Sequence, residues 1–275
     1  MNAVAPTAFD AFSSTVSAVV YLGVAFAALA QAPGDLRVRM FFVIAVASVA
    51  PYVVTPLMWF RGADVALSRP VMIATSLSLM IGSLALLHFA QVFPWRRPWI
   101  RAHARWLLAG YLVIPIATGI ASWFTRDVDF GALARAGSGD ADVGLDVRVA
   151  LVLLGVVVPA VFVLGVVTPF AGLFSLYKSW TTARAAGVEG ARVTTFWMLI
   201  SQMAGGVLTI LIIPLLHLVA PAGPWATIAA ALLFGFGLLM PLAFAVGIWK
   251  LRVLDLDIDG LPSADVGPEK PGLRV

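Results

Sequence analysis

The 275-residue chain has no cysteine. That excludes disulfides, thiolate nucleophiles, cysteine-bound metals and iron–sulfur clusters, and leaves packing alone to hold the fold. Charge is nearly as scarce. Charged residues make up 12% of the chain against 61% apolar, a balance foreign to soluble globular domains and suited to a bilayer. Lysine occurs only three times beside 15 arginines, and together these exceed the 14 acids to leave a net charge of +4. The cations lie in short connections between apolar runs, where anionic lipid headgroups meet them. Such a distribution reads as membrane topology and not as a nucleic-acid surface.

What is present is length of hydrocarbon. A spanning helix needs about 20 apolar residues to cross a core of about 30 Å, and seven charge-free windows reach that length. The expected fold is therefore all-α: a polytopic membrane protein, a bundle of seven transmembrane helices filling residues 1–249. The helices are placed at about 12–32, 40–60, 71–94, 106–124, 149–177, 193–219 and 225–249. An amphipathic juxtamembrane linker over 250–261 and a disordered cytoplasmic tail over 262–275 follow.

Orientation follows from charge. The small residues Ala28 and Ala30 imitate a signal cleavage site, yet Asp10 is the only charged residue before Asp35 and no basic segment precedes the first helix. The helix is read as uncleaved with its N-terminus outside. The cytoplasmic connections and tail then hold 13 of the 18 basic residues, among them Arg37, Arg39, Arg96, Arg97 and Lys250, as the positive-inside rule requires. The C-terminus is cytoplasmic. All nine tryptophans fall near expected helix ends and are read as interfacial anchors.

Prolines interrupt several of these helices: Pro51 and Pro56 in the second, Pro115 in the fourth, Pro159 and Pro169 in the fifth, Pro214 in the sixth and Pro241 in the seventh. Each removes a backbone donor and favours a kink. The external segment from about Arg126 to Asp146 carries Asp140, Asp142 and Asp146. It lacks the ligand spacing of an EF-hand loop and is read as a solvated connection.

Chemistry inside the membrane is missing. Intramembrane ionisable groups are costly and usually functional, and all fourteen carboxylates lie outside the seven windows, as does every lysine and arginine. Neither an ion-coupled carrier site nor a hydrolytic constellation is visible, so the expectation is a non-enzyme with no cofactor and no metal. His88 and His217 fall at opposite faces on this topology and cannot share a haem iron, while His103 belongs to a connection. Retinal is excluded because the seventh helix has no lysine before Lys250. His88, Gln91 and Gln202 are expected to make polar contacts between helices, and the pairs Ser78/Gly82, Ser201/Gly205 and Ala243/Gly247 follow the small-xxx-small pattern of close packing.

Two stretches carry a resemblance. Leu86-Leu87-His88-Phe89-Ala90-Gln91-Val92-Phe93-Pro94, with Trp95-Arg96-Arg97 after it, resembles the end of the third helix in the seven-helix sensor region that precedes bacterial histidine kinases, including those detecting peptide pheromones. Pro241 to Ile248, running on through Lys250-Leu251-Arg252-Val253-Leu254-Asp255-Leu256-Asp257, is similar to the last helix and linker of that region. No kinase core follows, since 25 residues remain after Lys250. The resemblance implies a stand-alone or truncated sensor module of the bacterial inner membrane, whose output passes to a separate cytoplasmic signalling protein through Leu251, Arg252, Leu254, Asp255 and Asp257. Trp59, Trp123, His217 and Trp225 are the candidate ligand-binding residues at the external helix ends. The expected partners are the lipid bilayer, that signalling protein and a second copy in a homodimer.

Two other classes stay open. A small transporter or permease subunit for an apolar or lipid-like substrate is suggested by Val53-Val54-Thr55-Pro56, which recurs as Val166-Val167-Thr168-Pro169 in a helix of opposite direction. The other is a structural subunit of a membrane complex.

Overall fold

The computed structural model describes residues 7–62, 69–125, 155, 167–208 and 224–259. Among them the chain is helical and carries no strand. In order the helices are α1 (Ala8–Gln31), α2 (Leu36–Arg61), α3 (Arg69–Val92), the short α4 (Pro98–Ala102), α5 (Ala104–Thr125), α6 (Thr168–Ala185), α7 (Glu189–Val207) and α8 (Pro224–Trp249), followed by a 3-10 turn at Val253–Asp255. The segment with Asp140, Asp142 and Asp146 that was expected outside, most of the expected fifth helix, the second half of the sixth and the tail over 262–275 lie outside the described residues.

Helix ends are set by capping groups and not by the edges of the apolar windows. At α1, Thr7 and Asp10 form a reciprocal box: the Thr7 backbone N–H and hydroxyl donate to the Asp10 carboxylate at 2.8 and 2.7 Å, and the Asp10 N–H donates to the Thr7 hydroxyl at 3.2 Å. Asp35 precedes α2 and accepts the Arg37 N–H at 2.8 Å, which satisfies one of the orphan donors of the first turn. Helix α3 stops at Val92, ahead of the cis Phe93–Pro94 bond. Helix α6 runs through Lys178 to Ala185 and closes in a Schellman motif. There Gly187 takes a φ of 68°, its N–H reaches the Arg184 carbonyl at 3.3 Å, and the Val188 N–H reaches that of Ala183 at 3.0 Å. Gly62, with a φ of 91°, ends α2 by donating to the Met58 carbonyl at 2.9 Å. Pro51, Pro56, Pro115 and Pro241 all lie inside continuous helices.

Four of the described helical stretches are long and apolar enough to cross a membrane: Ala8–Gln31, Leu36–Arg61, Ile73–Val92 and Ile228–Trp249. A shorter apolar stretch, Leu107–Ala117, lies in α5. Their outer faces carry exposed Val19, Phe26, Val46, Leu108, Val113 and Leu242, an apolar surface that hydrocarbon covers without cost and water does not. The chain is thus an all-α protein with membrane-spanning helices.

The chain divides into two compact units. The first comprises Met1–Leu22, Met40–Leu87 and His103–Ala171. In it Tyr21 stacks on Phe41 with ring centroids 6.2 Å apart and tilts against Tyr52 at 6.0 Å. Ser78 of α3 donates its hydroxyl to the Ala47 carbonyl of α2, and a Cβ on Gly82, one turn further, would sit 3.5 Å from the Ala47 Cβ. The small residues of α3 thus face a small residue of α2, where backbones approach.

The second unit comprises Gly23–Arg39, His88–Ala102 and Gly172–Val275. Its core is aromatic: Phe89, Phe93 and Phe244 are fully buried, with centroid separations of 5.1, 5.6 and 5.9 Å. Beside it Trp95 packs on Ala183 and Ala191, with Val188 and Leu256 at the edge. Trp95, expected as an interfacial anchor, is only 4% exposed, unlike Trp99, Trp197 and Trp249 at 40–47%. Helices α7 and α8 meet closely. Ser201 donates to the Phe236 carbonyl at 2.7 Å, and a Cβ on Gly247 would lie 2.7 Å from both the hydroxyl and the methyl of Thr194.

That last contact leaves no room for a methyl group. Gly247→Ala should destabilise the protein by about 1–3 kcal/mol, the usual cost of overpacking, and Thr194→Ala in the same chain should recover part of the loss; thermal unfolding in detergent measures both. At the start of α7, the Arg192 side chain donates to the exposed Glu189 carboxylate and holds it below its ordinary value of 4.5. The folded value being the lower, this pair supports α7 above the unfolded carboxylate range and releases it as pH falls through the folded value. Titration of Glu189 by NMR should show a midpoint below 4.5 that returns to it in Arg192→Gln.

Candidate functional site

The densest polar construction among the described residues surrounds Arg37, in the first turn of α2. Its side chain is 2% exposed, and a buried guanidinium demands partners for all of its N–H groups. It finds them. Nε lies 3.1 and 3.2 Å from the two Asp35 carboxylate oxygens, and one terminal nitrogen lies 2.6 Å from Oδ2. That same nitrogen donates to the Leu254 carbonyl at 2.9 Å. The other terminal nitrogen reaches the carbonyls of Pro94 at 3.0 Å, Val253 at 3.1 Å and Leu256 at 3.3 Å. With a carboxylate and four carbonyls as acceptors for its five N–H groups, the guanidinium is fully partnered.

The carbonyls belong to the segment that leaves α8. After Lys250 the chain turns through Arg252, whose φ of 53° is left-handed, makes the 3-10 turn and continues extended from Leu256. Val253 is buried at 1% exposure and Leu256 packs beside Trp95. Leu251 lies on α7, its carbonyl 2.8 Å from where a Cβ on Gly190 would stand. Further along, the Arg96 N–H donates to the Ile258 carbonyl at 2.7 Å, and the Arg96 side chain grips Asp259 with two bonds of 2.9 and 2.8 Å. That pairing raises the Arg96 pKa further and keeps it charged. The segment from Leu251 to Asp259 is thus a docked strap, held at its turn by Arg37 and at its end by Arg96.

A second polar group lies at the end of α3. Gln91 donates to the Ser175 hydroxyl of α6 and accepts from the Trp99 indole N–H at 3.0 Å. Arg97 donates to the Ser175 carbonyl at 3.3 Å and to the Ser179 hydroxyl at 3.4 Å, and burial lowers its pKa. Elsewhere, Gln202 donates to the Met240 sulfur at 3.0 Å, between α7 and α8. His88 is half-buried on α3.

Of the residues expected to take part in output, Leu251 and Leu254 are half-buried in the strap, while Arg252, Asp255 and Asp257 are exposed on it. Arg252 pairs with Asp255 at 2.6 Å, and Asp257 accepts the Asp259 N–H at 3.0 Å. Of the expected ligand-binding residues, Trp59 is exposed near the end of α2. Trp123 and Trp225 lie in α5 and α8 with side chains outside the described residues, as does the whole of His217. Sequence reasoning did not single out Arg37 or Val253. The available signal was the Asp35-x-Arg37 spacing, a capping acid two residues before a cation. Among the described residues no group of three or more histidines or acids is placed to hold a metal ion.

Compared with models of known protein families, with curated proteins and with solved structures, the chain matches none.

Removing Arg37 would leave Asp35 and four carbonyls without their donor. Arg37→Met should cost roughly 3–5 kcal/mol, the usual loss when one partner of a buried ion pair is deleted, and should free the strap. Arg37→Lys, with three donors and no plane, should recover only part of it. Hydrogen exchange over Val253–Asp259 reads the release directly, and the double change Asp35→Asn with Arg37→Met should be milder than Arg37→Met alone.

Proposed function

We propose that the protein is a non-catalytic membrane sensor or signal-transducing module. In this reading it has seven transmembrane helices in a bacterial inner membrane, its N-terminus outside and its C-terminus in the cytoplasm. It passes an external or membrane-borne signal to a separate cytoplasmic protein. The observation that carries the reading is the Arg37 clasp. It ties the segment leaving the last helix to the turn between α1 and α2 and to the corner after α3. A displacement of α8 is thereby transmitted to a surface bearing Arg252, Asp255 and Asp257. A bistable element that both a ligand and a partner can bias is what such transduction requires. The resemblance of residues 86–97 and 241–257 to the sensor region of histidine kinases supports the same reading.

A permease subunit is the second reading, and the recurring Val-Val-Thr-Pro favours it. The first copy lies within α2, while Thr168 and Pro169 of the second open the described part of α6.

Crosslinking in native membranes, comparing the intact chain with one cut after Trp249, separates the two. A cytoplasmic regulator, kinase or cyclase recovered only with the intact chain is the expected result. Recovery of no such partner with either chain, together with substrate flux in proteoliposomes, would replace the sensor by the permease.

A further inference from the structure

Between α7 and α8 runs an apolar groove of about 200 Å³. Its walls include Thr194 and Trp197 from α7 and Leu239, Leu242 and Val246 from α8, and Leu251 closes one end. We propose that this groove binds one acyl chain of an anionic phospholipid, with the headgroup at Lys250. The site is independent of the sensor reading.

Three observations select this occupant. The α8 wall lies inside the membrane-spanning stretch Ile228–Trp249, so what fills the groove comes from the bilayer. Trp197, Leu242 and Val246 are each nearly half exposed, and the one hydroxyl of the wall, that of Thr194, is already committed to the Gly190 carbonyl at 2.8 Å. Apart from the Trp197 indole N–H, the lining therefore offers apolar contact. Shape is the third: at about 200 Å³ the groove is smaller than the about 300–1,000 Å³ pockets that enclose compact ligands. An extended chain can lie along its wall, about 10 Å from Leu239 to Val246, with the rest of its length in the bilayer.

Charge sets the polarity of the ligand. At the end of the groove closed by Leu251, Arg192 adjoins Val193 and Lys250 adjoins Leu251. Arg192 is engaged by Glu189. Lys250 is exposed and has no ion pair among the described residues, so its ammonium is available to a phosphate at the membrane surface.

The test uses the full chain purified in mild detergent, delipidated, and titrated with dioleoyl phosphatidylglycerol or dioleoyl phosphatidylcholine under native mass spectrometry. One phosphatidylglycerol per chain should bind first. Filling the groove with Leu242→Trp or Val246→Trp should weaken it about tenfold, whereas Val113→Trp, on the exposed face of α5, should not. Lys250→Gln, which touches no packing, should abolish the preference for phosphatidylglycerol while leaving chain binding in place. Should both filled variants unfold, the headgroup comparison with Lys250→Gln decides. Equal binding of the two lipids by the unaltered chain, or undiminished binding in a folded filled variant, would overturn the proposal.

Discussion

A single buried cation organises the second of the two units. Taking a guanidinium out of water costs several kcal/mol unless charge and hydrogen bonds are both restored, and the surroundings of Arg37 restore both. Asp35 contributes twice, capping α2 through the Arg37 N–H and neutralising the same residue's side chain. The gain is reciprocal. A short 3-10 turn leaves carbonyls that its own bonds do not fully satisfy, and Arg37 supplies donors for those of Leu254 and Leu256 and a second for that of Val253. The burial of Val253, the seating of Leu256 beside Trp95 and the course of the chain after α8 all follow from that exchange.

Around it, the second unit is held by close approach. Gly247 lets α8 settle on Thr194, Gly190 does the same for Leu251, and the Ser201 hydroxyl bridges to a carbonyl of α8. In a bilayer the apolar effect does not distinguish protein from lipid, so such contacts and a few polar bridges, Gln91 to Ser175 among them, are what specify one arrangement of helices.

The helical, membrane-spanning character was legible in the sequence because hydrocarbon thickness imposes a length that charge-free runs display directly. Helix ends were less so. Lys178 bounds an apolar window but does not break a helix, and α6 stops instead where Gly187 adopts a conformation that its neighbours disfavour. Arg37 was hidden for another reason. In sequence it is one more arginine at a helix start, indistinguishable from Arg39, and three of its four carbonyl partners lie more than 200 residues away. The alternation from Leu251 to Ile258 suggested an amphipathic linker, but it did not announce that the carbonyls of Val253, Leu254 and Leu256 meet the Arg37 side chain and that of Ile258 the Arg96 N–H. The spacing of apolar residues is silent on which donors a backbone will meet. Gln91 stood out as a polar residue in an apolar run, while nothing near it announced Ser175 or Trp99 as partners.

The strap's bonds to Arg37 run through peptide carbonyls, which every amino acid carries. Anchorage is therefore indifferent to most of the side chains it anchors. Asp255 and Asp257 are exposed and bond to neither Arg37 nor Arg96, whereas Arg252, also exposed, takes a left-handed φ of 53° that restricts what can replace it. Attachment to Arg37 thus rests on backbone atoms and the outward surface on side chains of the same short segment, so a change in Asp255 or Asp257 alters the surface while leaving those bonds in place.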